Sequence, residues 1–281
     1  MALQSSGQIS LDDIHVEAGG STGTQAAIND SDIRSLISAS SATEMEFADF
    51  YGASSGPSLV GTVTMRGGND TDFDDSSGAI NLTGAGIQVG DVVVVAVTAD
   101  VGSYDSVGWA NFSDLTWEEG TYGASENLPH GFVSAGNWAS GDSNPYMTFS
   151  GGSSGDRLKA VSLVAAIFRN VDGAGGPTGY NEAAENVHGT SGMPNPPSRT
   201  SSGNSNMIVA TGHLDDDEVT MTAPSGYTLA ASISTNASTR GGYTGSSTAI
   251  AFKFSTANVT ENPGIFGGSG DDHWWANTMR F

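Results

Sequence analysis

Apolar positions recur at strand spacing from residue 59 onward and at helix spacing only before it. Leu59-Val60-Gly61-Thr62-Val63-Thr64-Met65 alternates as a strand does, and residues 92–97 and 161–168, the latter broken only by Ser162, are apolar runs with β-branched residues that read as buried strands. Ile250, Phe252 and Phe254 share one face of a further strand and Lys253 takes the other. Clusters rich in Gly, Ser and Pro at 84–86, 151–155, 173–176, 194–197, 241–242 and 267–270 supply the turns between strands. Many strands without helical crossovers predict an all-β fold, an antiparallel, jelly-roll-like β-sandwich over residues 57–281.

The strand pattern occurs twice. Gly108-Trp109 is echoed by Gly226-Tyr227 and Asn144-Pro145 by Asn262-Pro263, at one common offset in the numbering. Each Asn-Pro is followed by a Phe and glycines, Phe149-Ser150-Gly151-Gly152 and Phe266-Gly267-Gly268, and then by an apolar stretch ending in Arg169 or Arg280. Upstream, residues 91–97 have a counterpart in Asn206-Met207-Ile208-Val209-Ala210. The sandwich is therefore expected to consist of two related halves, about 90–170 and 205–281. A single sandwich built from both would place Val94 and Phe252 in one shared core.

Residues 1–56 read differently. Ser10-Leu11-Asp12-Asp13-Ile14 has an N-cap serine with acids in the first turn, and Gly19-Gly20 ends that helix. A second short helix is predicted from 29 or 30 to 37, with Ile33, Leu36 and Ile37 on one face. Neither is long enough to stand alone, and the module is expected to be unable to bury its own apolar residues and to dock on something else.

Composition narrows the class. Thirty-nine glycines in 281 residues disfavour long helices, and the absence of cysteine excludes disulfides and thiolate metal sites, in keeping with intracellular synthesis. No export signal is recognisable, and the longest apolar run is too short for a membrane-spanning helix, so no membrane insertion is expected. A formal charge of −22 opposes binding to nucleic acid or anionic lipid and favours solubility.

Candidate chemistry is sparse. Two G-x-S-x-G matches, 52–56 and 151–155, sit in Ser/Gly turns rather than on a strand-to-helix elbow, so no catalytic residue is assigned. His15, His130, His188, His213 and His273 show no paired-ligand spacing, and in His273-Trp274-Trp275 one Trp is expected to pack inward. Two acidic clusters, 72–75 and Asp215-Asp216-Asp217-Glu218, offer hard oxygen ligands suited to Ca2+; the second is the better candidate, and solvated loops are the simpler reading. Among three aromatic groups, Trp109 with Phe112, Trp117 with Tyr122 and Trp138 with Tyr146, the candidate binding residues are Trp117, Tyr122 and Trp138.

The opening pieces, residues 3–14, Glu17-Ala18-Gly19-Gly20, residues 28–34 and Asp49-Phe50-Tyr51-Gly52, resemble the N-terminal module of tail-fibre and other virion proteins of tailed bacteriophages, notably marine ones. The resemblance implies a module that mounts a distal domain on the particle, with Ile9, Ile14, Ile33, Leu36, Phe50 and Tyr51 as its apolar residues. More loosely, Gly90-Asp91, Gly108-Trp109, Thr148-Phe149 and Phe168-Arg169-Asn170-Val171-Asp172 resemble β-sandwich domains of phage and bacterial surface proteins. It implies a virion surface protein made in the bacterial cytoplasm, without enzymatic activity or cofactor, a homotrimer whose partners are other virion proteins and a host receptor or glycan. A tail fibre or spike is the leading expectation, a capsid decoration or head-fibre protein the alternative, and a polysaccharide depolymerase a third.

Overall fold

The computed structural model describes residues 3–4, 6–37, 39–40, 44–53, 56–69, 72–73, 78–101, 106–112, 115–121, 129–150, 158–171, 185–200, 207–215, 219–235, 245–255 and 260–281. The chain divides into two compact units, Met1–Pro57 and Ser58–Phe281.

In the first unit, helix α1 (Leu11–Glu17) starts at a capping box in which the Ser10 hydroxyl accepts the Asp13 amide and the Asp13 carboxylate accepts the Ser10 amide. Those hydrogen bonds hold the Asp13 carboxyl below its usual range. Helix α2 (Ser31–Ser35) follows, and residues 47–50 form a 3-10 turn. Contrary to expectation, the module buries its own residues. Ile14, Ile33 and Phe50 are fully enclosed, with Leu3, Ile9, Ala26, Ile28, Leu36 and Met45 packed around them. Helix length is not decisive here because loop residues supply much of this core. The Leu3 amide donates to the Ala53 carbonyl at 2.8 Å, and the buried Arg34 guanidinium bonds Asn29 Oδ1 and the Ser40 carbonyl.

The second unit is the all-β sandwich. Its strands are β1 (Ser58–Asn69), β2 (Val92–Val101), β3 (Ser106–Ala110), β4 (Thr116–Thr121), β5 (Pro129–Asn137), β6 (Tyr146–Ser150), β7 (Leu158–Arg169), β8 (Glu185–Gly189), β9 (Met207–Leu214), β10 (Thr228–Thr235), β11 (Ser246–Phe254) and β12 (Trp274–Arg280). One antiparallel sheet runs β1-β7-β2-β5-β4 and the other β10-β11-β9-β12-β8. Read from the opposite edge, the second order is β8-β12-β9-β11-β10, the same as the first once β2 is matched with β9 and β7 with β12. Pairing β3 with β6 in one half has its counterpart in the Thr222–Gly267 bridge of the other. The repeat is thus a repeat of topology. One sequence echo does not survive: Trp109 lies within β3, whereas Gly226-Tyr227 forms the turn before β10, with Gly226 at φ +82°.

Each half contributes one sheet, and the halves share a core. Val92, Val94, Ala96, Val133, Val164 and Phe168 of the first sheet pack with Met207, Val209, Ile250, Phe252, Trp275 and Met279 of the second. The opposite residues of β2, Val93, Val95, Val97 and Ala99, face a second core closed by Phe73, Ile80, Leu82, Phe112, Leu115 and Trp138. A third core, containing Leu214, Val219, Met221 and Phe266, covers the outer side of the second sheet. Burial on both sides is why β2, β7 and β9 read as mainly apolar runs although the sheets are antiparallel.

The shared core changes character along its length. Beyond Ala96 it becomes polar. Thr248 Oγ1 lies 2.7 Å from both Thr98 Oγ1 and Ser162 Oγ, Ser246 bonds Ser162 at 3.0 Å, and His213 Nδ1 lies 2.9 Å from Thr98 Oγ1. These side chains satisfy one another across the two sheets.

Candidate functional site

The loops on the outer side of the first sheet enclose a cleft of about 420 Å3 lined by Trp109, Asn111, Phe112, Ser140, Gly141 and Asp142. Trp109 comes from β3, and its indole N–H donates to Ser134 Oγ of β5 at 3.0 Å, which fixes the ring against the sheet. Asn111 follows at φ +68°, a left-handed conformation that asparagine tolerates. Its carbonyl accepts the Ser143 amide at 2.9 Å, joining the loop after β3 to the loop before β6. Residues 139–142 form a tight turn in which Asp142 Oδ2 accepts the Ala139 amide at 2.7 Å, with Gly141 at φ +103°. The result is one half-buried ring, Trp109, beside the polar groups of Asn111, Ser140 and Asp142, with Phe112 belonging to the buried core, an arrangement fit for a polar ligand with an apolar face.

Of the aromatics expected to bind, Trp138 is 7% exposed and packs edge-on against Phe112 at 5.2 Å, so it supports the cleft from beneath and cannot stack on a ligand. This corrects its assignment as a contact residue: its ring packs into the outer core of the first sheet with Phe112. Trp117 is the second residue of the edge strand β4, its side chain outside the described atoms, and Tyr122 lies outside the described residues. Trp109 and Asn111 were missed as lining residues because only folding brings the loop after β3 beside residues 140–142.

Of the proposed calcium ligands, Asp216, Asp217 and Glu218 lie outside the described residues. Asp215 is 6% exposed, and its ligand atom lies within 4.8 Å of those of Asp272 and His273. Those partners are distant in sequence and become neighbours because β9 and β12 pair with Leu214 opposite Trp274. The other cluster is split, with Asp72 exposed, Phe73 buried and Asp74 and Asp75 outside the described residues. The first G-x-S-x-G match has its Ser54 and Ser55, and the second all of 151–155, outside them too.

A further charged group, Lys253 with Glu261 at 2.7 Å and with the Tyr227 ring at 5.9 Å, packs on the second sheet. Burial pushes the Tyr227 phenol up, and Glu261 adds to the shift. In the N-terminal unit, Ile14, Ile33 and Phe50 are interior and Ile9 and Leu36 half-buried, so of the six apolar residues expected in attachment Tyr51 is the exposed one, at 37%. Val16 at 41% and Phe47 at 43% join it. Among the described residues no helix is long and apolar enough to cross a membrane.

No protein-family model, curated protein or solved structure matches the chain.

Proposed function

We propose that this chain is a bacteriophage virion structural protein, a tail fibre or spike component whose β-sandwich contacts the host surface and whose N-terminal unit holds it on the particle. The observation that carries this reading is the cleft beside Trp109, Asn111 and residues 140–142: one half-buried indole ring with amide, hydroxyl and carboxylate groups next to it matches the alternating apolar and hydroxyl faces of a surface saccharide. So shallow a site binds weakly by itself, and several copies, as in the trimer the resemblance implies, would supply avidity. Val16, Phe47 and Tyr51 are the apolar groups the first unit offers to another virion protein.

Binding is favoured over glycoside hydrolysis because cleavage requires two carboxyl groups across the scissile bond. Among the described lining residues there is one carboxylate, Asp142, and it accepts the Ala139 amide. Immunogold labelling of virions with antibody against residues 58–281 tests the reading. Gold at the tail tip or fibres is expected. Gold spread over the head would replace it with a capsid decoration role.

A further inference from the structure

The structure assigns a second site, independent of the cleft: we infer that Asp215, Asp272 and His273 bind a divalent transition-metal ion of the Zn2+ class that ties the end of β9 to the start of β12. Two acidic segments far apart in the chain meet there. The Asp215 amide donates to the His273 carbonyl at 2.9 Å, one step beyond the Leu214–Trp274 pair of the β9–β12 ladder. This places both backbones side by side, and the Asp215, Asp272 and His273 ligand atoms all lie within 4.8 Å of one another.

The frame around them is tight. Asp271 Oδ1 accepts the Gly192 amide at 2.9 Å. A methyl group on Gly270 would lie 2.3 Å from Leu214 Cδ2. The backbone beside the donors is therefore held by packed neighbours.

Three features set this group apart from the acidic loops of a highly charged surface. Asp215 is almost fully buried, whereas the carboxylates of solvated acidic loops stay in water. A second carboxylate within 4.8 Å adds repulsion that a dication offsets. The third donor is an imidazole, already 3.0 Å from Asp272 Oδ1. Calcium takes six to eight oxygen ligands, whereas a nitrogen with two carboxylates suits zinc, whose donors lie about 3.3 Å apart in a tetrahedron. The proposed ion draws the three donors to that spacing from within 4.8 Å of one another. Three protein ligands leave a fourth position for water or for a carboxylate from another molecule.

The test uses the full chain stripped of metal with a chelator. Zn2+ at about a hundredfold excess over its Kd is expected to raise Tm by about 5 °C or more, while Mg2+ at equal ionic strength does not. Co2+ is expected to give visible d–d absorption. Asp272→Asn and His273→Asn lie outside the strands and are half-buried, so both should keep the metal-free Tm and lose the zinc shift and the cobalt bands. A zinc shift that persists in both variants, or one that Mg2+ equals, overturns the assignment. So does the absence of a zinc response in the unmodified chain.

Discussion

The Thr98 hydroxyl of the first sheet lies 2.9 Å from Nδ1 of His213 in the second. His213 is enclosed by Thr98, by Thr211 at 3.1 Å and by the Trp275 ring at 4.3 Å, a polar but uncharged setting. Burial pushes its pKa down to about 3, against an opposing hydrogen bond with the Val97 backbone. The folded-state value lies below the unfolded one near 6.5, so between the two the unfolded chain binds the extra proton. The stability is full above pH 6.5 and is lost as pH falls toward 3, by roughly 1 kcal/mol per unit from this group. Urea denaturation of the parent and His213→Gln at pH 7, 5.5 and 4.5 should show a smaller acid loss in the variant. Equal losses would mean that His213 protonates freely in the folded state.

Val94 of β2 and Phe252 of β11 belong to one core, and the Phe252 ring packs edge-on against Phe168 of β7 at 5.2 Å. Phe252→Ala should cost about 3–5 kcal/mol. Because the core is shared, amide hydrogen exchange should quicken in β2 and β7 as well as in β9 and β11. Loss of protection confined to the second sheet would indicate separately stable halves.

Gly131 in β5 faces the Trp275 ring so closely that a methyl group would sit 2.0 Å from Cε3. Gly131→Ala should force the ring or the strand aside and cost about 1–3 kcal/mol, read from Tm. An unchanged Tm would show that the ring can yield at no cost.

Within the first unit, Ile14 and Phe47 should behave oppositely. Ile14 is fully buried and Phe47 is exposed. Ile14→Ala should destabilise the unit by about 2–5 kcal/mol, whereas Phe47→Ser should leave its stability within about 0.5 kcal/mol and lower incorporation into particles. Normal incorporation of Phe47→Ser, counted by mass spectrometry of purified virions, would remove Phe47 from the attachment surface.

For the cleft, Asn111→Gly is the cleanest probe, since glycine accepts the φ of +68° while the amide is deleted. Binding to host-surface saccharide on a glycan array should weaken about tenfold with Tm little changed, the worth of one or two hydrogen bonds. Undiminished binding would place the contact surface elsewhere on the sandwich.

Strand positions and the two-copy organisation could be read from residue order because both are local. A β-branched run such as 92–97 or an alternation such as 59–65 declares its period within a few residues, and a capping box such as Ser10–Asp13 within four. The neighbours across the sandwich could not be read this way. Pairing Leu214 with Trp274 brings Asp215 to His273, and stacking one sheet on the other brings Thr98 to His213. Neither contact leaves a spacing signal along the chain. Nor does burial by distant segments, which is why Trp138 resembles a surface aromatic in the sequence yet packs against Phe112 in the core, and why a module with two short helices closes a core around Ile14, Ile33 and Phe50. Local backbone preference set the elements, and long-range packing of side chains chose which polar groups converge.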